Sequence, residues 1–442
     1  MSSCVSSDPT TAEPNALDQS VAPVEAPMQT LWAAAQRYGT PLYAYDLGRI
    51  RTQIAKLQAH LPAAVGILYS LKANPSLGLC GLLAEAGLGA DVASAGELVT
   101  ALEADFPPRR IVVTGPDKSP ALLAQLPSAP EALLSIDSAS ELQLLAGRRL
   151  PHRALLRLRP DFPSLAACAA GADARFGVPF EDLARCRDHL RAGDFRVVGF
   201  HVFAGSQVLD AAAIVHHLRS ALHLCCRAAD VLGMAPAVID LGGGFGVPYG
   251  PGDQELDLAV VAKELGTLLE QAAPARIFLE LGRYLVAQAG WYLTSVIAQQ
   301  THRGREAVVV DGGVHQRGDL CGLGLRSKAF APVVLNGSAA RSFEEPHPLA
   351  PRDVLGCLSL PSDILAEARL LPPISVGDVL AFPNAGAYGL MASPALFHGH
   401  SVPAEVAFEG ENLTPLRLRQ PVRSILEGQM RRVPIRTSTR PG

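Results

Sequence analysis

No stretch of this chain approaches the roughly 18 consecutive apolar residues that a membrane-spanning helix needs, so a membrane protein of that kind is not expected. The start, Met1-Ser-Ser-Cys-Val-Ser-Ser, lacks a basic region followed by an apolar core, and no secretory signal is expected. Cysteine pairs at Cys-x-x-Cys spacing are missing. The eight cysteines, Cys225 and Cys226 adjacent among them, show no metal-like pattern, so no metal is expected and a reducing cytoplasm fits best. An excess of positive charge is also missing. A net charge of −4 with 48% hydrophobic residues describes an ordinary soluble chain and excludes a nucleic-acid binder that works by electrostatics.

What is present is a rhythm. Residues 1–28 hold Ser, Pro, Ala, Glu and Asp without period and read as a disordered tail. Gln29 to Gly39 has helical spacing, and Pro41 to Tyr45 reads as a strand. Short apolar runs then alternate with amphipathic stretches, with strands expected at 65–70, 89–92, 111–114, 133–136, 154–158, 197–202, 237–241 and 277–280. About eight strand–helix units is the number that closes a parallel β/α barrel, and such a barrel occupies about 250 residues. Beyond Gly290 helices become scarce and strand-like runs appear at 291–298, 307–310, 378–382 and 404–408. The expected architecture is α/β: a (β/α)8 barrel over 44–290, plus a β domain built from 29–43 and 291–427. Residues 336–352 read as an exposed loop and 428–442 as a second disordered tail.

The run Ile67-Leu-Tyr-Ser-Leu71 ends on Lys72. A charge at the end of a buried strand is costly unless paired, and a dry pocket favours the neutral amine, the form that attacks aldehydes. A surface lysine in a loop is the competing reading. Further on stand a triple glycine in Asp240-Leu-Gly-Gly-Gly-Phe-Gly246 and an acidic strand end in Glu280-Leu-Gly-Arg283. An amine, a phosphate cradle and a buried carboxylate are the parts that a pyridoxal 5'-phosphate site requires.

Five motifs in order, Tyr69-Ser-Leu-Lys-Ala-Asn74, Gly89-Ala-Asp-Val-Ala-Ser-Ala-Gly-Glu-Leu98, the Asp240–Gly246 loop, Glu280–Arg283 and Asn384-Ala-Gly-Ala-Tyr-Gly389, resemble those of the pyridoxal phosphate-dependent decarboxylases of the diaminopimelate and ornithine type, fold type III. Val308–Gly313, Ala387–Leu390 and Phe397-His-Gly-His400 resemble the branch acting on an aminoacyl group held by an acyl carrier protein, as in butirosin biosynthesis. The resemblance implies that Lys72 is the Schiff-base lysine and that Glu280 faces the pyridine nitrogen. It places Gly242, Gly243, Gly244, Gly282, Arg283, Tyr388 and Ser206 around the phosphate. It also implies cofactor contacts from Asp91, Arg157 and His201, with a satisfied core histidine the alternative for His201 and helix-start chemistry the alternative for Glu97. Substrate contacts are implied at Arg326, Leu360, Asp363 and Tyr388. A head-to-tail homodimer is implied as well, with Ser359 and Tyr388 acting across the interface.

Three departures matter. Phe203 stands where the ornithine branch has a ring-stacking histidine; it can pack on the cofactor but cannot exchange a proton. In Gly356-Cys-Leu-Ser-Leu-Pro-Ser-Asp363 the usual catalytic cysteine position holds Ser359, and Cys357 takes a proline position. Water, Lys72 and Cys357 are the remaining proton donors. Leu360 replaces the acid that pairs with a distal amine, which argues against lysine, ornithine and diaminopimelate as substrates. The expected activity is decarboxylation of an α-amino acid or carrier-tethered aminoacyl group. Diaminopimelate decarboxylation, racemisation on the same fold and an idle cofactor-binding homologue are the rivals.

Overall fold

The computed structural model describes residues 26–116, 118–146, 152–163, 176–192, 196–250, 252–318, 331–336 and 348–430. The first strand, β1 (Leu42–Asp46), belongs to the second domain, and the helix Leu47–His60 leads into a closed parallel barrel. Its strands are β2 (Gly66–Ser70), β3 (Gly89–Val92), β4 (Ile111–Val113), β5 (Leu133–Ile136), β6 (Arg153–Arg157), β7 (Arg196–His201), β8 (Val238–Gly243) and β9 (Arg276–Leu281), with β9 pairing back onto β2. Each lies within two residues of the range expected from the apolar runs, because strands covered on both faces read as continuous hydrophobic sequence.

Helix starts are set locally. Asp46, Ser94, Asp210 and Asp257 each accept a hydrogen bond from a backbone N–H of the first turn that follows. Glu97 completes a capping box, accepting from the Ala93 N–H at 2.7 Å while its own N–H donates to Ser94 Oγ at 3.2 Å. Its sequence position is thereby explained by helix-start chemistry.

Leu68, Val112, Leu133, Leu155, Val198, Val238 and Phe278 fill the barrel interior as one buried cluster. The barrel is therefore a packed core and not a pore, and chemistry is confined to its rims. A concavity at the N-terminal rim, lined by Gly66, Gly89, Arg110, Arg276 and Phe278, gathers no carboxylate or nucleophile.

After the barrel come β10 (Gly290–His302), β11 (Arg305–Val310), β12 (Val333–Leu335), β13 (Ala350–Leu355), β14 (Ile364–Leu371), β15 (Val379–Phe382), β16 (Ala404–Glu409) and β17 (Asn412–Arg417). They form one sheet in the order β14-β13-β11-β10-β1-β16-β17, with β15 joining β10 to β12. β1 runs antiparallel to β10 and parallel to β16, so the N-terminal piece of this domain reaches Asp46, three residues past the expected boundary. Leu42, Ala44, Trp291, Leu293 and Val406 pack there against Leu31, Ala34 and Ala35 of the helix Met28–Tyr38. That helix begins at the last residue of the expected tail, and residues 1–25 and 431–442 lie outside the described residues. The expected loop 336–352 ends instead in β13; its residues 337–347 lie outside the described residues. β14 and β17 were not legible because they lie at the two ends of the sheet order, where charged side chains mask the strand pattern.

Candidate active site

β2 ends in a 3-10 turn, Leu71–Ala73, that lifts Lys72 to the C-terminal mouth of the barrel. Its Nζ stands 3.4 Å from Asp91 Oδ2, at the end of the neighbouring β3, and 5.2 Å from the centre of the Phe203 ring. Asp91 is buried and fixed by the Thr114 hydroxyl, which donates to Oδ1 at 2.5 Å. The expectation of a neutral amine is corrected here. Burial favours the neutral form, but the side chain is 40% exposed and the Asp91 carboxylate beside it wins, raising the lysine pKa above its usual value. The resting lysine is an ammonium held by Asp91.

Across the mouth, Glu280 at the end of β9 is buried, and its Oε1 lies 3.4 Å from His201 Nε2. Burial, then the charges of Asp91 and Asp240, push the Glu280 pKa well above the carboxylate range. Burial and the nearby cations Arg157, Lys72 and Lys118 push His201 down, so its ring is neutral. The Ser135 hydroxyl meets His201 Nδ1 at 2.8 Å. Among the described residues neither Glu280 Oε1 nor His201 Nε2 has a hydrogen-bond partner of good geometry. Arg283, only three residues from Glu280, is engaged elsewhere: the guanidinium donates to Tyr249 Oη at 2.8 Å and sits 4.6 Å over the Tyr388 ring.

The glycine triplet is only partly available as a cradle. Gly242 and Gly243 belong to β8, and the Gly242 N–H already donates to Asp240 Oδ1 at 2.9 Å. Gly243 is needed for strand contact, since a Cβ there would lie 1.8 Å from the Glu280 carbonyl oxygen. Gly243→Ala is therefore expected to force β8 from β9 and cost about 1–3 kcal/mol, read as a lowered urea midpoint. The residues that follow are tied to a second loop. Val208 N–H donates to Gly244 O, Gly246 N–H donates to Val208 O, both at 2.9 Å, and the Gln207 amide donates to Val247 O at 2.6 Å. These bonds bind the Ser206 loop to the glycine loop. Close by, Gly282 lets the Lys72 turn approach, because a Cβ there would meet Ala73 Cβ at 2.8 Å.

Tyr388 corrects a second expectation. Its N–H donates to Ala73 O at 2.7 Å, beside Lys72, so it completes the site of its own chain and not one across an interface. Arg157, at the end of β6, is held by Asp137 at 2.7 Å and lies 6.0 Å from the Phe203 ring. Asp137, Thr114, Tyr249 and Asp240 were not singled out; the first two directly follow barrel strands, the one sequence signal that could have found them.

The second-domain residues form another group. Asp363 is buried and accepts from Val314 N–H at 2.8 Å and Leu358 N–H at 2.7 Å, so it anchors its loop. Ser359 and Leu360 are exposed on that loop. Cys357 Sγ lies 3.7 Å from His400 Nε2, and burial and Asp363 push the thiol up to about 11. It is a protonated thiol whose neighbours belong to the second domain. Arg326 lies outside the described residues.

The mouth fits pyridoxal phosphate: an amine at the rim, a deeply buried carboxylate oxygen with no donor of its own, an aromatic face at Phe203, and an arginine beside a glycine loop. A barrel with these groups at the C-terminal ends of its strands defines a pyridoxal phosphate enzyme of fold type III. Residues 47–287 match the pyridoxal binding domain of the pyridoxal-dependent decarboxylases, and the chain belongs to that family. It is 31% identical to the L-glutamyl-[BtrI acyl-carrier protein] decarboxylase of Niallia circulans, over 85% of this chain and 90% of that protein. It is also 31% identical to the diaminopimelate decarboxylase of Methanothermobacter thermautotrophicus, over 89% of this chain and 92% of the relative. Among solved structures, a diaminopimelate decarboxylase superposes with a TM-score of 0.80 at 26% identity, covering 90% of this chain and 96% of that one. The Helicobacter pylori diaminopimelate decarboxylase complexed with L-lysine gives 0.79 at 25% identity, covering 90% and 98%. The protein is thus a pyridoxal phosphate-dependent decarboxylase acting on an amino acid or a carrier-tethered aminoacyl group.

Proposed function

We propose that the substrate is an aminoacyl group tethered to a carrier protein, with an acidic or neutral side chain. One observation carries this reading. Asp363 is the only carboxylate in the loop Gly356–Asp363, and two backbone N–H groups occupy it, while Leu360 offers an apolar, 39%-exposed side chain. A distal ammonium entering beside this loop finds no charge to pair with, whereas an uncharged phosphopantetheine stem needs none. The similarity to a relative named for a glutamyl-carrier substrate supports the same choice.

Pyridoxal phosphate, when bound, takes up the electron pair freed as CO2 leaves. The chain's residues divide the remaining work. Lys72 would hold the cofactor's aldehyde carbon, Glu280 would meet its ring nitrogen, Phe203 would pack on the ring, and Arg283, Ser206 and Gly244 would flank the phosphate. Lys72 Nζ, protonated beside Asp91 at 3.4 Å and placed at the mouth, would return a proton to the carbon that lost its carboxylate, whereas the Ser359 hydroxyl is exposed on a loop of the second domain. The reading includes a head-to-tail homodimer in which the Cys357–Leu360 loop faces the partner's mouth. Exposed Leu360, Leu396 and Phe397 support a buried role for this edge. No helix among the described residues is long and apolar enough to cross a membrane. The five cysteines among the described residues are unpaired, which supports work in a reducing cytoplasm.

The test compares kcat/KM for glutamyl-carrier protein with that for free glutamate, lysine, ornithine and diaminopimelate on one enzyme preparation. The carrier-bound substrate is expected to lead by about tenfold or more, the scale of 1.4 kcal/mol of selective transition-state binding. Efficient turnover of a free diamino acid overturns the reading. Leu360→Asp is expected to move any residual selectivity toward lysine or ornithine.

A further inference from the structure

Away from the barrel mouth, His315, Cys357 and His400 converge from three separate segments of the second domain. His315 follows β11, Cys357 follows β13, and His400 precedes β16. One ligand atom from each lies within 4.8 Å of the others, and the Cys357 Sγ to His400 Nε2 distance is 3.7 Å. In a tetrahedral zinc site, bonds of about 2.3 Å to sulfur and about 2.05 Å to nitrogen set ligands about 3.6 Å apart. The observed separation already meets that geometry.

The second observation is independent of the distances. His315 is 1% exposed, and among the described residues neither of its ring nitrogens has a hydrogen-bond partner. An imidazole buried with both nitrogens unmatched costs free energy that a native fold rarely leaves uncompensated. Its nearest aromatic neighbour is His400, at 4.7 Å between ring centres, so the orphan ring faces the cluster.

We propose that His315, Cys357 and His400 bind one Zn²⁺ ion. One thiolate and two imidazoles form a soft-to-borderline donor set that suits zinc over magnesium or calcium. On binding, the Cys357 thiol loses its proton to solvent and the sulfur–metal bond forms, with no redox change. Three protein ligands leave a fourth position for water. The ion ties the turn after β11 to the loop carrying Ser359 and Leu360 and to the segment Phe397–His400. It therefore fixes the loop that Asp363 already braces.

Cobalt(II) is the probe, added to full-length protein first stripped with a chelator and then dialysed. The expected result is one ion per chain, with a near-ultraviolet thiolate-to-metal charge-transfer band and strong visible bands of tetrahedral cobalt; zinc abolishes both. Cys357→Ala is expected to remove the charge-transfer band, and His315→Ala to weaken binding by about 100-fold or more, beyond what loss of a supporting residue costs. Cys226→Ser, at an exposed cysteine far along the chain, should change neither. Wild-type protein that takes up no cobalt, or a charge-transfer band that survives in Cys357→Ala, overturns the proposal without reference to whether the variants are stable.

Discussion

Lys72→Ala is expected to lower turnover by on the order of 10⁴-fold or more, the scale of losing a covalent nucleophile that also carries a proton. Among the described residues a buried lysine, Lys118, also lies in the barrel, and its environment explains why it is not the reactive amine. Lys118 Nζ donates to the carbonyls of Gly115 at 2.6 Å and Ser135 at 3.0 Å and forms an ion pair with Glu141 at 2.9 Å, so it is buried and held from three directions. Lys72 has a single partner at 3.4 Å and a 40%-exposed side chain, so it can move and react. Borohydride reduction of the wild-type enzyme with pyridoxal phosphate, followed by peptide mapping, is expected to label Lys72, and the Ala variant should lose the label. A label on Lys118 would contradict the assignment.

Glu280→Gln is expected to retain cofactor binding while turnover falls by about 10²-fold, the usual cost of removing one preorganised electrostatic partner. An amide cannot keep the ring nitrogen protonated, so the electron sink weakens while the shape of the pocket survives. The same change has an opposite effect on the cofactor-free fold. Burial raises the Glu280 pKa in the folded state, so the folded protein keeps a proton that the unfolded chain releases. Stability from this group is full below about pH 4.3, where unfolded glutamate ionises, and is lost as pH rises toward the folded value. Glutamine does not ionise. Cofactor-free Glu280→Gln should therefore gain on wild type as pH rises through that window, measured by urea unfolding at several pH values. Unchanged turnover, or a wild type that gains stability over the window, would count against a buried catalytic carboxylate.

Much of the barrel was legible because its determinants are local. Residues 67–70 and 277–280 are apolar runs of strand length, Ser94 and Glu97 stand at capping distance, and Lys72 lies in the turn just after a strand, so neighbours in sequence dictate conformation. The order of the motifs placed an amine, a carboxylate and a glycine loop at ends of parallel strands, which the barrel brings to one rim. Charge state and pairing were another matter, because they depend on distance in space. The desolvation argument for Lys72 missed Asp91, which lies on the adjacent strand only because β2 and β3 pair in one register, Ser70 opposite Asp91. Gly242 looked free to hold phosphate until Asp240, buried against it, took its N–H. Tyr388 reaches its own chain's Lys72 turn because the loop after β15 folds back onto the barrel. The meeting of His315, Cys357 and His400 had no sequence signature at all, since 42 and 43 residues separate them in turn and a sheet that pairs β11 with β13 sets the first two side by side. Local propensity falls off within a few residues along the chain, whereas Coulomb energy and hydrogen bonding fall off over a few ångströms, and only the tertiary fold converts one measure into the other.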